Sequence, residues 1–185
     1  LFLVNFAPNA GTALYVFLSD VVKLPQSQIG IGDSAAAFSA IVGAAVFNKA
    51  VAGRFGQRRL MVVALLIAAA GTLPTLLIRD LPTVLIASLL GGSTGMVATL
   101  AMLSLAGESV PARAEGFCFA VLMSINNQAS QWGDQIGARI FDAAGQRLWP
   151  LILANLATTL LALLLARLLP DNAPAPVQEG GPPPA

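Results

Sequence analysis

The length of its uncharged runs limits what this chain can become more than any other feature. Residues 1–19, 60–78, 81–107 and 149–166 contain no Asp, Glu, Lys or Arg. Residues 24–48 are interrupted only by Asp33, and residues 117–133 run uncharged until Asp134. A helix needs roughly 20 apolar residues to cross about 30 Å of hydrocarbon. The lipid interior offers the backbone no water, so such runs form helices rather than loops or open sheet. Six spans are predicted. A soluble domain is excluded, because only 10% of the 185 residues are charged, against about 25% in soluble proteins. The expected fold class is all-α, a polytopic membrane protein with a six-helix transmembrane bundle over residues 1–169.

Short, punctuated connectors join the spans. The first holds Lys23 and Pro25, residues 53–59 form a basic turn, and Arg79-Asp80-Leu81-Pro82 is a tight break. Residues 108–116 and 142–147 are polar. From Pro170 onward the chain holds six of its twelve prolines. Such a stretch has too little to bury, which predicts a disordered cytoplasmic tail over 170–185.

Cationic residues set the expected orientation. Lys49, Arg54, Arg58, Arg59, Arg113 and Arg167 fall on one side, and Lys23, Arg79, Arg139 and Arg147 on the other. Cytoplasmic loops carry the Lys/Arg excess, so both termini of this segment are expected inside, in a plasma or inner membrane. The chain starts at Leu1 within an apolar run, without Met or a charged leader. No secretory signal peptide is therefore expected, and the six spans read as half of a larger machine whose N-terminal six-helix half is missing.

Several function classes drop out. The net charge of +1 gives no sign of a nucleic-acid partner. With no histidine and one cysteine, there is no His-ligated metal, no His-based triad and no internal disulfide. Neither enzymatic activity nor a cofactor is expected, and Cys118 reads as a small packing residue.

Polar residues within a span are costly and tend to face partners or water. In the fifth span Ser124, Asn127, Gln131 and Asp134 are spaced 3, 4 and 3 apart, which puts them on one helical face. Asn126, Gln128 and Gln135 widen that face. The stripe reads as one wall of a water-filled path, with polar glue between helices as the bland alternative. Gly133 and Gly137 would let a neighbouring helix come close. Asp33 in the second span is either an interfacial residue satisfied by backbone N–H groups, a proton site, or a counter-charge for a cationic solute. In the first span Asn5, Pro8, Asn9 and Gly11 predict a broken helix. Transporters use such breaks to build a midplane site; a plain packing kink is the other reading. Ser88, Gly92, Gly95 and Thr99 in the fourth span predict close helix packing or a bending point. The third and sixth spans, with few polar side chains, read as peripheral.

Six spans with the third and sixth outside resemble half of a major facilitator transporter. The turn Gly53-Arg54-Phe55-Gly56-Gln57-Arg58-Arg59 looks like a decayed form of that superfamily's cytoplasmic loop signature. Phe6-Ala7-Pro8-Asn9 with Gly11 and Tyr15 is similar to the opening of the seventh span of the folate–biopterin transporter family. The run from Pro111 through Gly116-Phe117-Cys118-Phe119-Ala120 to Met123-Ser124-Ile125-Asn126-Asn127 resembles that family's entry into the eleventh span. The resemblance implies that these are spans seven to twelve. Asp33 stands where such relatives tend to have glycine, and the polar run of the fifth span exceeds theirs.

Two functions follow as expectations. The first is a secondary transporter that moves a small polar organic solute, folate- or pterin-like, by alternating access coupled to protons. Asn5, Asn9, Tyr15, Ser124, Asn127, Gln131 and Asp134 would line its cavity, and Asp33 and Asp134 would be the proton-coupling carboxylates. Arg54, Arg58, Arg59, Arg113 and Glu115 would form a cytoplasmic gate. The second is a non-transporting membrane module, a sensor or scaffold, whose polar stripes hold partner helices and whose basic turn meets lipid headgroups.

Overall fold

The computed structural model describes residues 6–52, 54–108 and 115–166, and among these the regular structure is entirely helical. Helix α1 covers Gly11–Val16 and continues through a widened turn, Phe17–Val21. Helix α2 covers Gln26–Val46 and also ends in a widened turn, Phe47–Val51. Helix α3, Gln57–Thr72, tightens to a 3₁₀ turn over Leu73–Leu77, where Pro74 cannot donate to an α-helical ladder. Helices α4, α5 and α6 are Leu81–Glu108, Glu115–Ala143 and Leu148–Ala166. The tail expected over 170–185 lies outside the described residues.

Four helices are long and apolar enough to cross a membrane: Gln26–Val51, Arg58–Leu77, Leu81–Gly107 and Leu148–Ala166. Helix α5 is 29 residues long, but the polar stripe lowers its mean hydropathy. The first element is an apolar helix of only Gly11–Val21. Residues 6–10 stand outside any helix, so Pro8 lies in the non-helical stretch just before α1.

Local chemistry fixes the ends. At the start of α4, Asp80 Oδ1 accepts the Thr83 N–H at 3.1 Å, and Thr83 Oγ1 accepts the Asp80 N–H at 3.1 Å. This reciprocal pair satisfies donors that a helix N-terminus leaves without partners. Helix α5 ends in a Schellman motif: Gln146 N–H reaches the Phe141 carbonyl at 3.0 Å, and Gly145 N–H that of Asp142 at 3.1 Å. Gly145 supplies the left-handed conformation (φ 65°) that the motif requires.

The helices pair closely through small residues. A Cβ on Gly43 would strike the Ser93 backbone, and one on Gly92 would strike the Ala36 carbonyl and the Ser39 hydroxyl. Helices α2 and α4 therefore touch backbone to backbone. Of the small-residue stripe predicted on α4, Ser88 and Gly92 lie in this contact, whereas Gly95 and Thr99 are exposed. Gly71 of α3 packs against Thr94 of α4 in the same manner. One apolar core joins α2, α3 and α4 through Phe47, Leu60, Ala64, Val97 and Ala101. A second joins α1, α5 and α6 through Ala13, Phe141, Leu148, Leu151 and Ile152. Large exposed apolar side chains such as Phe38, Ile41 and Leu160 give the bundle an outer surface suited to lipid.

Candidate functional site

The polar residues of α1 and α5 meet where α1 begins. Pro8 has no N–H to give, and its carbonyl accepts a hydrogen bond from Asn155 Nδ2 of α6 at 2.9 Å. The Asn9 N–H donates to the Gly133 carbonyl at 3.2 Å, and Asn9 Nδ2 to the Ser130 carbonyl at 3.1 Å. Asn9 Oδ1 turns back to accept the Gly11 N–H at 3.2 Å. Thr12 then donates its N–H to Asp134 Oδ1 at 2.9 Å and its hydroxyl to Asp134 Oδ2. The first N–H groups of a helix lack intrahelical partners and carry partial positive charge. Here a side chain of the same segment and a carboxylate of another helix supply the acceptors.

Close approach makes this possible. A Cβ on Gly137 would overlap the Asn9 carbonyl, and one on Gly11 would stand 2.9 Å from Asp134 Oδ1. The Phe6 ring meets Trp132 edge-on, with centroids 6.2 Å apart. Asp134 lies nine residues before Ala143, the last residue of α5. At 1.5 Å per residue this is roughly 13 Å along the axis. The start of α1, a carboxylate and two asparagines thus meet at one place in the bundle.

The model of the Major Facilitator Superfamily matches residues 1–184. The chain belongs to the Major Facilitator Superfamily. Its members are membrane transporters, which agrees with the apolar helices and the all-α, multi-pass architecture. No curated protein matches the sequence significantly.

In this facilitator chain the candidate residues fall into separate groups. Asn9 and Asp134 belong to the clasp between α1 and α5. Ser124, Asn127 and Gln131 are exposed on α5, and the Ser124 hydroxyl returns to the Ala120 carbonyl of its own helix at 2.9 Å. Tyr15 is exposed, and its hydroxyl donates to Gln26 Oε1 at 2.8 Å, tying α1 to the start of α2. Asp33 is exposed on α2, beside the Gly32 that packs on Val84 of α4. Among the described residues no hydrogen bond joins Asp33 to the clasp. Arg58 and Arg59 open α3, with Arg54 exposed just before it. Asn5 and Arg113 lie outside the described residues, as does the side chain of Glu115.

Thr12, Ser130 and Asn155 belong to the clasp, although their sequence context does not single them out. One signal was available: a helix restarted after Pro8 must have its first N–H groups accepted by something. The helix α6, read as peripheral, contributes Asn155 to this site.

Proposed function

We propose that this facilitator chain forms one side of the solute path in a secondary transporter that works by alternating access. The solute is a small polar organic molecule of the folate or pterin kind, and transport is coupled to protons. A second six-helix half, packed against this one, would complete the path. The observation that carries this reading is the unwound start of α1, fastened to Asp134 beside the exposed polar stripe Ser124, Asn127 and Gln131. Interrupted helices near mid-membrane are where transporters of this kind bind their solutes.

In this reading Asn5, Asn9, Tyr15 and the α5 stripe line the cavity, and Asp33 and Asp134 are its carboxylates. Protonating Asp134 removes the charge that holds the Thr12 N–H and hydroxyl. Helix α1 is then freer to tilt against α5, so that proton uptake biases the path toward one face of the membrane. Arg54, Arg58, Arg59, Arg113 and Glu115 close its cytoplasmic end. The test is solute uptake into vesicles by the full-length protein. Asp134→Asn and Gln131→Leu should each abolish or severely slow uptake; normal transport by both variants would reduce the stripe to helix glue.

One observation favours a non-transporting sensor or scaffold. The side chains of Asn9, Asp134 and Asn155 each bond a neighbouring segment. Such a module predicts a soluble partner domain upstream in the reading frame and no uptake of any solute. A transporter predicts six further spans there.

A further inference from the structure

The start of α3 collects positive charge. Between Asp33 and Asp80 the chain has no acidic residue, yet it carries Lys49, Arg54, Arg58, Arg59 and Arg79. The first turn of α3 likewise contains no acid, so Arg58 and Arg59 sit at the positive end of the helix dipole. Cations are disfavoured there. An anion bound beside them would offset that cost.

The same two arginines line an open groove of about 430 Å³, whose other walls are Phe55, Val62 and Val63. The apolar span of α3 runs Arg58–Leu77, so the arginines stand at its polar margin. Val62 and Val63 lie one turn further in, roughly 6 Å deeper at 1.5 Å per residue. Charge at the mouth and apolar wall below match a molecule with an anionic head and a hydrocarbon chain. Guanidinium groups bind phosphate through paired N–H donors. A free phosphate would leave Phe55 and the valines without a partner.

We infer that this groove is a binding site for an anionic phospholipid. Its phosphate is held by Arg58 and Arg59, and one acyl chain lies along Phe55, Val62 and Val63. The site is separate from the clasp at Asp134, and its occupancy is read without any transport assay.

The experiment is native mass spectrometry of the full-length protein, carried through detergent from vesicles of phosphatidylcholine with and without phosphatidylglycerol. The wild type should retain phosphatidylglycerol in preference to phosphatidylcholine. The double variant Arg58→Gln/Arg59→Gln should bind it on the order of 30-fold more weakly, given the usual contribution of each basic residue near an anionic surface. Val63→Trp fills the groove and leaves both arginines in place; it should cause a comparable loss, and it decides the matter if the arginine variant does not fold. Retention of both lipids alike by the wild type overturns the proposal, as does unaltered phosphatidylglycerol binding by both variants. Competition by soluble glycerol phosphate as strong as that by the lipid would also overturn it, because the acyl chain would then play no part.

Discussion

Asp134 of α5 accepts both the backbone N–H and the hydroxyl of Thr12, 122 residues away, at the point where α1 begins. A charged acceptor typically contributes about 1.5–3 kcal/mol through such hydrogen bonds. Asp134→Ala should therefore destabilise the bundle by about 2 kcal/mol, and Asp134→Asn by less, because an amide oxygen still accepts the Thr12 N–H. Thr12→Val loses only the hydroxyl bond. In a double-mutant cycle on the detergent-solubilised protein, the Asp134→Ala/Thr12→Val pair should cost less than the sum of the single changes. Additive costs would mean that the two residues do not act together.

Asn155 makes a similar argument from α6. Its amide donates to the Pro8 carbonyl at 2.9 Å, which the unwound segment offers to no intrahelical partner. Asn155→Leu should cost about 1–2 kcal/mol by leaving that carbonyl unsatisfied. Asn155→Asp should be worse, since it sets an acceptor against an acceptor. Equal stability of the two variants in thermal unfolding would show that the bond does not matter.

Two glycines on one helix should respond with opposite signs. Gly92 of α4 has no room for a Cβ, because the Ala36 carbonyl and the Ser39 hydroxyl of α2 occupy the space. Gly95, less than one turn on, has nothing within 4 Å. Gly92→Ala should destabilise by about 1–3 kcal/mol through overpacking. Gly95→Ala should stabilise by roughly 0.5–1 kcal/mol, as alanine loses less backbone freedom in a helix. Unfolding midpoints of the two variants on either side of the wild type would check this.

Why were the helices legible and the clasp only in part? Charge gaps marked out the spans, because lipid penalises every ionised group within them. Pro8 marked the chain just before the first described helix, since the missing N–H of a proline is a local fact. The polar face of α5 was visible from spacing alone. What spacing could not tell is that Asp134 turns to cap α1 while Asn127 and Gln131 stay exposed. That depends on Gly137 letting the start of α1 in on one side of the stripe, which is a property of packing. Asn155 and Pro8 are 147 residues apart, and no local pattern links them.

The cap at Asp80 carries a pH dependence whose sign is fixed by its bonds. Hydrogen bonds from the Thr83 side chain and backbone, aided by the charge of Arg79, hold the Asp80 carboxyl below its ordinary value of 3.8. Asp80 lies between the spans of α3 and α4, in contact with water. A carboxylate depressed in the folded chain contributes stability that is complete above its unfolded value. The contribution is lost as the pH falls through the lower, folded value. The stability difference between wild type and Asp80→Asn should therefore stay constant from neutral pH down to about 4 and shrink in more acid solution. Thr83→Ala removes the hydroxyl donor and keeps the backbone N–H, so it should partly flatten that profile. Thermal unfolding of the three proteins across this range would measure it, and a difference that grows on acidification would contradict the assignment.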